Sequence, residues 1–226
     1  MEWSISDNLA SIDNTSFTGS FDLAQPWSGV KLRRGEHVIA EHLFACLVPD
    51  AAVETWGRGP DLFCRYPPRN SDLVSYQTYY REVDDGIEFI LSAQTSLLDS
   101  KPLTQVTNRF SDGELWYRPS LNAACQQVTG TQDFDLSDPP GFFLVRPAAF
   151  DDLSWAIFVH PSDFHRVTVR ATPEPSIAYW LFPEPLEKGV IRRAQMAFHV
   201  VSRTTDEQDA LRLLATANTA APPLTT

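Results

Sequence analysis

Cysteine is scarce: Cys46, Cys64 and Cys125 are the only three in 226 residues. An odd number cannot all pair within one chain, and the spacings are far from C-x-x-C. Neither a disulfide framework nor a thiolate metal or redox motif is expected. Cys46 and Cys64 lie in apolar alternating stretches, where cysteine acts as a small core residue. Positive charge is the second shortage. Lys and Arg total 18 against 29 Asp and Glu, giving a formal net charge of −11. The field of the whole chain therefore opposes a polyanion, and the basic doublets at 33–34 and 192–193 would split across the two faces of a strand. No nucleic-acid partner is expected. The third shortage is of long hydrophobic runs: none approaches the ~18 residues that span a bilayer. Residues 1–7 also lack the basic and apolar regions of a secretory leader. A cytoplasmic protein without membrane association is expected, in which the sequon at Asn14 carries no glycan.

Catalytic signatures are missing too. There is no G-x-S-x-G elbow and no Cys–His pair close in sequence. His37 and His42 flank Glu41 in a stretch resembling a zincin box, but they stand five apart rather than four, which rotates them away from each other on a helix or strand. Gly57 and Gly59 begin a dinucleotide fingerprint whose third glycine is replaced by Leu62, and a strand pattern follows where a helix is required. No cofactor is expected.

What is present is alternation with a period of two. Ile87, Phe89, Leu91 and Ala93 fall on one side of an extended segment, with Glu88, Ser92 and Gln94 on the other, the pattern of a half-buried strand. Ala194, Met196, Phe198 and Val200 repeat it, as do Trp155, Ile157 and Val159; Phe158 on the opposite side there implies that both faces are covered. Turn residues separate such runs at intervals of roughly 8–15 residues, the spacing of sandwiches and barrels. Gly57–Asp61 divides strands at 53–56 and 62–66. Asp84-Asp85-Gly86 joins 75–83 to 87–97, Asp112-Gly113 precedes 114–117, and Pro161-Ser162-Asp163 links 155–160 to 166–170. Both Asp-Gly turns signal hairpins. Residues 37–48 lean towards strand because of Val38, Ile39 and the following proline. The 17 prolines cluster at positions barred from central ladders, so they mark strand ends and loops. Residues 121–140 read as a long surface loop.

One helix is signposted over 206–217. Thr205 can cap it with Gln208 in a capping box, acids fill its first turn, and Ala210, Leu211, Leu213, Leu214 and Ala217 form an apolar stripe. Residues 218–226 should fray, and 1–29 should form an extension or edge strands. The fold expected is one domain over 1–226, mainly β: a two-sheet antiparallel β-sandwich with one C-terminal α-helix.

Three groups of residues are candidates for function. Aromatics stand adjacent on predicted strands, so one of each pair faces away from the core: Trp116 with Tyr117, and Tyr179 with Trp180. Either a second layer covers those rings or they form a platform that stacks on sugars or similar ligands. Glu184 and Glu187, in a loop after Trp180, could supply rim carboxylates. His160, Asp163 and His165 could offer two imidazoles and a carboxylate to a divalent metal, although the same residues make a good turn. The expected function is carbohydrate or similar ligand binding through exposed aromatics, without catalysis. The alternatives are a structural or homo-oligomerising module and a carbohydrate-active enzyme using loop carboxylates.

Overall fold

Alternating apolar residues build eighteen strands, which the computed structural model describes over residues 2–47, 54–68, 74–119, 122–137, 141–171 and 174–219. In chain order they are β1 (Ser4–Ser6), β2 (Leu9–Asp13), β3 (Thr18–Asp22), β4 (Val30–Arg34), β5 (His37–Cys46), β6 (Glu54–Arg58), β7 (Asp61–Tyr66), β8 (Val74–Val83), β9 (Gly86–Thr95), β10 (Thr104–Phe110), β11 (Glu114–Arg118), β12 (Gln126–Gln127), β13 (Thr131–Asp135), β14 (Phe142–Arg146), β15 (Leu153–Val159), β16 (Arg166–Arg170), β17 (Ser176–Leu181) and β18 (Ile191–Ser202). Helix α1 (Asp206–Thr219) follows.

The strands form two nine-stranded sheets, ordered β1-β2-β3-β4-β5-β10-β17-β16-β13 and β12-β11-β14-β15-β18-β9-β8-β7-β6. Every named pairing is antiparallel. The expected mainly β sandwich with a C-terminal helix is the observed architecture, and β1, β2 and β3 extend one end of the first sheet, with β1 as its edge. One main core lies between the sheets, containing Phe21, Phe44, Tyr80, Phe89, Phe110, Trp155 and Phe198 among others.

Five local expectations are corrected. The Asp112-Gly113 turn is no hairpin: it carries the chain from β10 in the first sheet to β11 in the second. The 161–163 turn likewise crosses from β15 to β16, between sheets. Residues 121–140 include β12 and β13, short polar strands whose alternation is too brief to read; 121 and 138–140 lie outside the described residues. Strand β9 is buried on both faces over most of its length rather than half-buried. The helix cap also differs in detail. Thr205 Oγ1 donates to the Asp209 carboxylate at 2.6 Å, one residue beyond Gln208, and the helix runs on to Thr219.

Helix α1 decides which part of the second sheet stays open. Ala210 and Leu214 pack on Phe142, Leu144, Ala156, Phe158, Ala197 and Val201, a second apolar cluster on the outer face. The double coverage implied by Phe158 is therefore real. The helix is anchored at its start by Asp206, whose carboxylate receives Arg146 Nε at 2.9 Å and Nη2 at 3.1 Å, with Ser154 Oγ donating at 2.7 Å. The coverage ends near Ala197; among the described residues no helix lies above the outer face of β6–β9 and the first half of β18.

Candidate functional site

Register aligns the side chains of this open half in rows. One row runs Trp56, Phe63, Tyr79, Ile90, Gln195; the rows on either side run Arg58, Asp61, Arg81, Glu88, Ala197 and Glu54, Arg65, Gln77, Ser92, Arg193. Side chains of one parity share a face, so all of these point away from the core. Burial rises from the edge inwards. Trp56 on β6 is 43% exposed, whereas Ile90 on β9 is 2% and Ser92 6% exposed. Ile90 belongs to neither apolar cluster. Residues on an outer face that are nevertheless enclosed single out this open face, from the sheet edge at β6 to the helix-covered part of β18, as a candidate cleft.

The floor carries polar chemistry. Arg81 is held by Asp61 at two points, Nε to Oδ1 at 2.7 Å and Nη2 to Oδ2 at 3.1 Å. Beside this pair stands Glu88, half-buried. Burial pushes its carboxyl above the usual range, Arg81 opposes that shift, and Asp61 adds to it. Burial also raises the Tyr79 phenol, with Arg193 opposing and Asp61 assisting. Ser92 Oγ is enclosed and has no hydrogen-bond partner in the protein, a cost a folded chain retains where a ligand can meet it. The wall is aromatic: Trp56 and Phe63 stack with centroids 5.1 Å apart at 3°, and Phe63 meets Tyr79 edge-on at 4.2 Å.

The residues singled out by sequence fall elsewhere. Tyr179 is 1% exposed, in the core against Phe143. Trp180, its neighbour on β17, turns to the outer face of the first sheet under the Arg166 guanidinium, 4.6 Å from the ring centre. Trp116 lies on the outer face of the second sheet beside the cluster under α1, with Arg146 4.5 Å over its ring. Tyr117 packs on Phe134 at 4.7 Å and donates its hydroxyl to Gln126. These rings do not assemble into one platform, because adjacent residues on a strand diverge and the two pairs sit on different sheets. Glu184 and Glu187 are solvent-exposed in the loop between β17 and β18.

Of the metal candidates, His160 and Asp163 form a turn, and His165 follows it with its Nδ1 enclosed and without a hydrogen-bond partner. Ser162 Oγ lies 2.7 Å from His160 Nδ1 and donates to Asp163 Oδ1, and the other Asp163 oxygen accepts the Gln195 backbone N–H at 2.9 Å. Among the described residues no three His, Cys, Asp or Glu are placed to hold a metal ion. The two core thiols are likewise inert, since burial drives Cys46 far up and Cys64 up to about 11.

Of the cleft residues, the alternation in the sequence puts Glu88 and Ser92 on the solvated face of a half-buried strand. The available signal was Ile90: an isoleucine between Glu88 and Ser92 on the supposedly wet side of β9.

No protein-family model matches the sequence, and no relative is found among curated proteins. Solved structures do match. A galactose mutarotase-like protein from Lactobacillus casei superposes with a TM-score of 0.62 at 9% identity, covering 85% of this chain and 100% of that one. A galactose mutarotase related enzyme from Lactobacillus acidophilus gives 0.61 at 8%, covering 86% and 97%. An aldose epimerase homologue from C. elegans gives 0.60 at 7%, covering 87% and 99%. The chain has the galactose mutarotase-like fold.

Proposed function

We propose that this chain binds a free sugar in the cleft over β6–β9 and catalyses aldose 1-epimerisation there, with Glu88 as the proton-transfer group. The observation that carries the reading is Glu88 itself: a carboxyl raised by burial, on the cleft floor, beside an arginine that Asp61 already engages. The fold shared with mutarotase-like proteins supports the choice of a sugar. So do the aromatic wall and the hydrogen-bonding side chains Gln77, Ser92 and Gln195, since apolar ring faces beside convergent polar groups suit a pyranose.

The chemistry requires one proton to leave the anomeric hydroxyl and one to reach the ring oxygen. A protonated carboxyl does both. Its O–H gives a proton to the ring oxygen while its carbonyl oxygen takes the proton of the anomeric hydroxyl. The C1 to ring-oxygen bond breaks, leaving an open-chain aldehyde, and the carboxyl is regenerated as its own tautomer. Rotation about C1–C2 and the reverse transfer close the other anomer. Arg81, fixed by Asp61, is placed to keep the carboxyl oriented, as general acid–base groups require.

The test is polarimetry, or proton exchange by NMR, on freshly dissolved α-galactose and α-glucose. The protein should accelerate mutarotation above the spontaneous rate, and Glu88→Gln should lower that acceleration by roughly 10²–10⁴-fold with an unchanged circular dichroism spectrum. Equal rates with and without protein for both sugars would refute the catalytic reading. Binding without turnover is the second reading, favoured by the stacked Trp56–Phe63 rings and the Asp61–Arg81 pair, which can hold a sugar without any proton transfer. Saturable sugar binding with no rate acceleration would select it.

A further inference from the structure

We infer that the ligand of this cleft is a short reducing oligosaccharide rather than a single monosaccharide, with its reducing-end ring at Glu88 and a distal ring at Trp56. The inference rests on the sugar-binding reading of the cleft and extends it to substrate class.

Geometry carries it. Trp56 and Ile90 lie in the same cross-strand row, and β7 and β8 separate their strands. Three strand spacings amount to roughly 14 Å, whereas one pyranose is scarcely wider than a single spacing. A ring seated over Ile90 beside Glu88 therefore leaves Phe63 and Trp56 without contact. Yet the aromatic wall continues out to the edge strand. The Trp56 indole has one face on Phe63, and among the described residues no strand pairs with the far edge of β6, although β1 passes close to it at Gly57. A large ring kept 43% exposed in line with Phe63 and Tyr79 extends the aromatic row to the sheet edge, where a second sugar ring can stack on it.

Charge favours a neutral chain of sugars. The ions that flank the aromatic row are engaged with one another, Arg81 with Asp61 at 2.7 Å and Arg65 with Glu54 at 3.5 Å. They present paired, planar polar groups beside the rings, which suits hydroxyls along an extended glycan.

The test is isothermal titration with galactose against β-1,4-galactobiose and galactotriose, and with glucose against maltose and maltotriose. In at least one series the di- or trisaccharide should bind tenfold or more tightly than its monosaccharide. Trp56→Ala should erase that gain and leave the monosaccharide affinity within twofold, and Trp56→Phe should restore part of it. Equal affinity for short and long members of both series overturns the inference while leaving a monosaccharide site intact. So does a Trp56→Ala variant that weakens monosaccharide and oligosaccharide alike. If no member binds, the inference falls together with the sugar-binding reading itself.

Discussion

Asp61 grips Arg81 along one guanidinium edge, Nε at 2.7 Å and Nη2 at 3.1 Å, whereas Glu88, one strand further in, has no such bidentate bond. The carboxylate of Asp61 takes two of the five guanidinium N–H donors and neutralises most of the charge that Arg81 could offer a second acid. The neighbouring acid then feels burial more than attraction, and its proton is held more tightly than in water. Two acids in one cross-strand row, on either side of Arg81, acquire different roles from a single ion pair.

This relationship sets a pH dependence. The raised Glu88 carboxyl loses its proton as pH rises through its folded-state value, so mutarotation by the protonated carboxyl should decline in the same direction. The limb should vanish in Glu88→Gln, as read from rates collected between pH 4 and 9. The linkage sign for stability follows. The folded state holds the Glu88 proton more tightly than the unfolded chain, so this group favours folding most at low pH and progressively less as pH rises. Glu88→Gln should therefore melt at or slightly above the wild-type temperature at neutral pH.

His199 titrates with the opposite sign. It is buried between Gly86 and Phe158, and burial lowers its pKa to about 4, partly offset by a hydrogen bond to the Asp84 backbone and by Asp85. Its neutral form contributes stability in full above the unfolded value near 6.5, and this is lost as pH falls towards 4. The contribution is about 3 kcal/mol at most. His199→Gln should flatten the fall of melting temperature across that window, measured against wild type in the same buffers.

Gly86 is required by close approach rather than by its own dihedral angles. A Cβ placed there would sit 2.4 Å from the Phe198 carbonyl oxygen and 2.5 Å from His199 Nδ1. Neither the β18 backbone nor the enclosed ring can retreat far. Gly86→Ala should lower stability by about 1–3 kcal/mol, seen as a lower urea midpoint.

Removing Asp206 should unseat α1. The variant Asp206→Ala leaves the Arg146 guanidinium without its bidentate partner and Ser154 Oγ without an acceptor in a site that is largely enclosed. Breaking such a pair from one side costs about 3–5 kcal/mol. Near-ultraviolet circular dichroism should report the loss through Trp116, which packs beside the helix-covered cluster, while the far-ultraviolet β signal persists.

The strands at 62–66, 75–83, 114–117 and 166–170 were legible because each alternates over enough residues to reveal a face. So was the helix, from its acidic first turn and its stripe of Ala210 and Leu214. Strands β12 and β13 were not legible, since Gln126, Gln127 and the run from Thr131 to Asp135 place almost nothing apolar in the core. The Asp-Gly turn at 112–113 was misread for a different reason. Turn chemistry specifies that the chain bends at Gly113, whose φ is 120°, but not whether the next strand pairs with the last or crosses to the other sheet.

The cleft shows the same division. Sequence alone determined that Tyr79, Arg81, Glu88 and Ser92 each face away from the inward-pointing residues of their strands, because side chains alternate along any extended chain. Tertiary structure decided that these four share one enclosed floor. That depended on β8 and β9 pairing in a particular register, on β18 closing the sheet beside them, and on α1 stopping short of Glu88. Alternation is a local property of the backbone. Enclosure depends on what packs alongside, and here the neighbours come from strands as far as a hundred residues away.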